Sequence, residues 1–112
     1  MELIDFAGKK RGGGLGLIFP DWRRGETVAF LSPHDDDAVL GAGCLIQAVS
    51  AAGGIPLVLV FCRGDAGYTT VEAKETIVAV RREETRRAYA SLGVAASDIL
   101  AFDVPDFTLL ET

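Results

Sequence analysis

The chain has 112 residues, a length that one hydrophobic core fills or part-fills. Eleven Lys and Arg against sixteen Asp and Glu give a net charge of −5, the wrong sign for a surface that neutralises phosphates, so a nucleic-acid partner is excluded. The composition, 49% hydrophobic and 24% charged, excludes wholesale disorder, and no apolar run reaches the ~18–20 residues of a membrane span.

Residues 1–26 carry the weakest pattern. Met1-Glu2-Leu3-Ile4-Asp5 runs into Lys9-Lys10-Arg11 with no apolar stretch between them, which is not a secretory signal. Gly12-Gly13-Gly14-Leu15-Gly16 leads to Pro20-Asp21-Trp22. With no strand before it and no helix after it, this cluster reads as an N-terminal arm or loop rather than a phosphate cradle. Cys44 and Cys62 are too far apart for a C-x-x-C site and too few for a disulfide framework, so a reducing cytoplasm is expected.

From residue 27 to 112 the elements are sharper. Thr27 to Leu31 is β-branched and apolar, a buried strand stopped at Ser32-Pro33. Ala38 to Ala52 reads as a helix closed by Gly53-Gly54. Ile55 to Cys62 is a second buried strand, followed by the loop Arg63-Gly64-Asp65-Ala66-Gly67. A second helix is expected from about Glu72 to Leu92, ended by Gly93, and a third strand from Ile99 to Phe102. Two β-α-β crossovers imply a parallel sheet. The fold class is therefore α/β: a Rossmann-like, doubly wound parallel sheet in three layers, of which this chain supplies about three strands and two helices.

In such sheets ligands bind beyond the carboxyl ends of the strands. Three segments fall there, Ser32 to Asp37, Arg63 to Tyr68 and Asp103 to Phe107, and all carry carboxylates. Asp35, Asp36 and Asp37 repel one another unless positive charge lies nearby. A helix N-terminus supplies some, and Asp36 or Asp37 is placed to cap it. A metal ion would supply more, and His34 with Asp37 offers one nitrogen and one oxygen of the kind zinc accepts. On the second helix Arg81 and Glu84 share a face. The expected apolar line Ile77, Val80, Ala88, Leu92 passes through Glu84, which should meet a cation or line a polar cavity. The plainer reading is a solvated ion pair in a helix laced with charge.

The run S-P-H-D-D-D-A-V-L-G-A-G at residues 32–43 resembles the signature of the LmbE-like or PIG-L-like zinc deacetylases. That pattern is histidine, a free position (here Asp35), two aspartates and a helix with Leu-Gly-x-Gly. Gly64-Asp65-Ala66-Gly67, Arg81-x-x-Glu84 with Leu92-Gly93-Val94, and Pro105-Asp106 follow in the family's order. The resemblance implies that His34 and Asp37 are zinc ligands and that Asp36 is the general base. It also implies that Arg81 and Asp106 contact substrate, with Glu84 and Asp65 supporting the site. The substrate class it implies is an N-acylated amino sugar or glycoconjugate, deacylated by a zinc-dependent hydrolase.

A catalytic zinc normally takes three protein ligands plus water, and His34 is the one histidine of the chain. The family's third ligand is a later histidine, so residues 27–112 are expected to be the N-terminal part of a deacetylase domain, inactive alone. The first strand would be left as an open edge, with Val28, Phe30 and Val39 nearby, and self-association is expected there. The alternative is a binding or assembly module that keeps the fold without the chemistry. A receiver-type signalling domain is excluded, because the only lysines are Lys9, Lys10 and Lys74 and none follows the last strand.

Overall fold

The computed structural model describes residues 3–4, 11–12, 14–66, 70–108 and 110. Two short strands, β1 (Leu3–Ile4) and β2 (Arg11–Gly12), pair antiparallel. The main body is β3 (Thr27–Ser32), α1 (Asp37–Ala51), β4 (Ile55–Cys62), α2 (Lys74–Ser91) and β5 (Ile99–Val104). β3, β4 and β5 form one parallel sheet with β4 in the centre. This is the α/β order read from the sequence, with element ends moved by one or two residues.

Register sets the two faces of the sheet. Val28 lies beside Pro56, Phe30 beside Val58 and Ser32 beside Val60, so these residues share one face. Phe30, Val58 and Val60 join Ile46 and Val49 of α1 and Tyr89 of α2 in the buried core. Both helices therefore cover the same face. The opposite face carries Leu31, Leu100 and Phe102, which are 66%, 45% and 54% exposed. Phe102 stacks on Phe61 with ring centroids 5.1 Å apart. The chain thus supplies two of the three expected layers, and among the described residues no helix lies on the second face.

Phe30, on the edge strand β3, points into the core, because alternation places it on the helix-covered side. Residues 15–26 form a loop packed on this core. Leu15 is buried, and Phe19 and Trp22 lie against the core with their rings 5.9 Å apart. Gly25 N–H donates to Gly53 O, and Ile55 N–H to Glu26 O. Apolar surface at the end of α1 needs covering, and these three side chains cover it.

Both helices stop at a glycine. Gly93, at φ +89°, lets Val94 N–H reach back to Tyr89 O, and a Cβ there would meet Ser50 Oγ at 2.3 Å. The left-handed turn and the tight α1–α2 contact both require glycine.

Candidate functional site

All the predicted site residues of the strand ends lie on one rim of the sheet. β3 closes on Ser32, which is fully buried. Its hydroxyl donates to His34 O and accepts the N–H of Ala38. Pro33 O accepts the N–H of Cys62. These bonds bend residues 33–37 over the start of α1 and fix the loop to β4.

His34 stands between two carboxylates. Its Nδ1 is 3.8 Å from Asp37 Oδ2, and the same oxygen accepts the His34 backbone N–H at 2.8 Å. Its Nε2 is 3.2 Å from Asp106 Oδ1. The side chains of His34 and Asp37 are 44% and 47% exposed, that of Asp106 only 8%. Asp36 occupies the N-cap of α1 and makes no side-chain cap bond. It is exposed, with Glu84, Arg81 and Thr85 lining the same cleft between α1 and α2.

Beneath this rim the loops after β4 and β5 hold each other. Asp106 accepts N–H bonds from Gly64 and Ala66, both at 3.0 Å. Asp65 returns the contact by accepting the Asp106 N–H at 3.0 Å, and its other oxygen meets Arg63 Nε at 3.0 Å and Lys74 Nζ at 3.7 Å. The Asp106 N–H bond holds the Asp65 carboxyl below its ordinary range against the opposing effect of burial, and Arg63 and Lys74 add to it. Cys62 is buried at the same point. Burial pushes its thiol up, and the negative charges of Asp106 and Asp65 add to the shift. One ligand atom each of His34, Cys62 and Asp106 lies within 4.8 Å of the others, a donor set that sequence spacing did not bring together. Gly67 and Tyr68, part of the predicted loop, lie outside the described residues.

The inward face of α2 differs from the expected one by one residue. Val80 is 44% exposed and Glu84 is exposed, whereas Tyr89 is completely buried. The line that faces the rim is Arg81, Thr85, Tyr89, spaced by fours. Thr85 Oγ1 donates to Asp35 Oδ2, the Tyr89 hydroxyl donates to Asp35 O, and Arg81 Nη1 lies 3.6 Å from Asp35 Oδ1. Asp35 is thus the residue that fastens the motif loop to α2. Arg81 Nε and Asp35 Oδ1 are buried without a hydrogen-bond partner. Arg81 pairs with Asp35 rather than with Glu84, and its stem passes close to Gly64, where a Cβ would sit 3.3 Å from Cδ. A cavity of about 230 Å³ runs from Asp35, Cys62 and Arg81 to Ile99 and Asp103.

A family model described as PIG-L, GlcNAc-PI de-N-acetylase, matches residues 29–112. Among solved structures, the N,N'-diacetylchitobiose deacetylase from Pyrococcus horikoshii, complexed with its inhibitor MPG, superposes with a TM-score of 0.67 at 28% identity. The match covers 72% of this chain and 30% of that one. GalB, the 4-carboxy-2-hydroxymuconate hydratase from Pseudomonas putida KT2440, superposes with a TM-score of 0.64 at 25% identity, covering 73% of this chain and 35% of that one. The chain thus spans about a third of the length of either structure. Among curated proteins none matches it at a significant level.

Proposed function

Because the chain belongs to the PIG-L family, we propose that its rim is the metal-binding half of a hydrolytic site that removes an N-acetyl group from an amino-sugar conjugate. The observation that carries this reading is the arrangement of His34 and Asp37. Nδ1 and Asp37 Oδ2 are 3.8 Å apart and both half-exposed, a spacing that two donors of one ion can share with little movement. One nitrogen and one carboxylate oxygen suit zinc, and the open side leaves room for water and for further ligands. The exposed donors therefore fit the metal that the family resemblance implies. Zinc in that position would supply Lewis-acid polarisation of the acyl oxygen and a more acidic water.

The chain's own residues do the rest. Asp36 adjoins Asp37 in the chain and lines the cleft, exposed and without a side-chain cap bond, so its carboxylate is free to take a proton from the attacking water. Arg81 borders the same cleft with its side chain one-third exposed (33%), which suits a donor to an oxygen of the substrate. Glu84 limits the cleft on the solvent side. The bare sheet face, with the outer edge of β3, is proposed as the surface on which the chain associates with further polypeptide, its own kind included. Both cysteines are free, in keeping with a reducing compartment, and no described helix is long and apolar enough to cross a membrane.

The test, made in a full-length parent or a reconstituted complex that completes the site, is release of acetate from an N-acetylglucosamine conjugate, with zinc content measured on every variant. Asp37→Asn should lose zinc and recover in part when zinc is added in excess. Asp36→Asn should keep its zinc and lose ~10²–10⁴-fold in rate, with no rescue. Near-normal turnover by Asp36→Asn overturns the assignment. Zinc binding without acetate release from any such conjugate would favour the binding-module reading, and hydration of a carboxylated enol would favour the chemistry of GalB.

A further inference from the structure

We propose that Asp106 is a positioning residue that fixes His34 as its Nε2–H tautomer and so presents the Nδ1 lone pair to the open side of the rim. The inference rests on the reading that Nδ1 faces the metal, and it adds a role for a residue on the opposite side of the ring. Both oxygens of Asp106 accept backbone N–H bonds, so the one 3.2 Å from Nε2 acts as an acceptor, which attracts an N–H and repels a lone pair. On the other side, Asp37 Oδ2 stands 3.8 Å from Nδ1, too far to hold a proton there, and is already occupied by the His34 backbone N–H. The neutral ring therefore carries its hydrogen on Nε2.

Asp106 is suited to this work because both its carboxylate oxygens and its N–H are bonded. Its two oxygens accept from Gly64 and Ala66, and its own N–H is held by Asp65. Asp65 is anchored in turn by Arg63 and Lys74. Gly64 stands at φ +72°, the left-handed turn that lets the loop send two N–H groups toward one carboxylate. The loops after β4 and β5 thus act as a brace that sets one imidazole. Outer carboxylates that orient a metal-binding histidine typically change affinity by about 10–100-fold when removed.

The experiment uses the fact that the chain has one histidine. Long-range ¹H–¹⁵N correlation on the metal-free protein, at a pH above the histidine range, reports a single ring. The wild type should show a protonated Nε2 and an unprotonated Nδ1. In Asp106→Ala the two tautomers should mix, and zinc affinity should fall about 10–100-fold. Asp106→Asn, which keeps the shape and one oxygen, should retain more of the Nε2–H form than Asp106→Ala. Should Asp106→Ala fail to fold, the wild-type spectrum and Asp106→Asn still decide the matter. A wild-type ring protonated on Nδ1 overturns the proposal, as does an Asp106→Ala variant whose tautomer and zinc affinity match the wild type. A fixed Nε2–H tautomer, mixed in Asp106→Ala, in a protein that binds no zinc at all would uphold this inference while overturning the metal reading on which it was built.

Discussion

Around Asp65 and Asp106 every carboxylate oxygen meets a donor or a cation, whereas Asp36 and Asp37, at the end of the neighbouring strand, face water. Both regions are acidic, and both sit at strand ends of the same sheet. The difference is what surrounds them. Residues 63–66 turn backbone N–H groups inward onto a buried acid, while Asp36 and Asp37 turn their acids outward over the start of α1. A carboxylate whose oxygens are all satisfied inside the fold holds geometry, and one that keeps a side open to solvent is available for chemistry. His34 stands on the border and has one ring nitrogen toward each.

If this division is right, substitutions in the two regions should separate in stability. Asp65→Ala should be the largest, at about 2 kcal/mol, since it leaves the Asp106 N–H without its acceptor and removes the partner of a part-exposed Arg63. Chemical denaturation measures it. Asp35→Ala should cost about 1 kcal/mol by freeing Thr85 and Arg81, whereas Asp36→Ala should stay within about 0.5 kcal/mol. Equal losses for Asp65→Ala and Asp36→Ala would erase the contrast.

The pH dependence sharpens it further. Asp65 has its folded pKa lowered from 3.8, so it contributes stability above that value, and this is lost as pH falls through the depressed one. Stability should therefore decline below about pH 4, and Asp65→Asn should flatten the decline. Glu83 is also lowered, to about 2, by hydrogen bonds from Arg86 and Arg87. It lies on the outer face of α2, where salt screens such pairs. Added salt should remove its contribution and leave that of Asp65.

The sequence made the open region legible and the closed one only in part. Ser32 to Asp37 is a local motif, and a strand followed by a helix start fixes where its side chains go. Strand order and the rim followed from the alternation of apolar runs and glycine stops. The brace depends on tertiary register. Val60 lies beside Ala101 and Cys62 beside Val104, with a shift between them and Asp103 at φ +57°. That irregularity belongs to the end of β5 that carries Asp106, and no local pattern encodes it. The face of α2 differs from the expected one for a related reason. Val80 and Ala88 are apolar, but the larger ring of Tyr89 takes the buried place and its hydroxyl finds a partner in Asp35 O. The spacing Arg81, Thr85, Tyr89 was the signal available.

The open-side account has one direct rival, since His34, Cys62 and Asp106 also bring three donors together. Cobalt(II) titration of the chain, followed by absorption, separates the two. The account predicts saturation without a thiolate charge-transfer band, affinity at least about tenfold weaker in Asp37→Ala, and no change in Cys62→Ala. A thiolate band that disappears in Cys62→Ala, with Asp37→Ala binding as the wild type does, would place the metal on the buried side and contradict it.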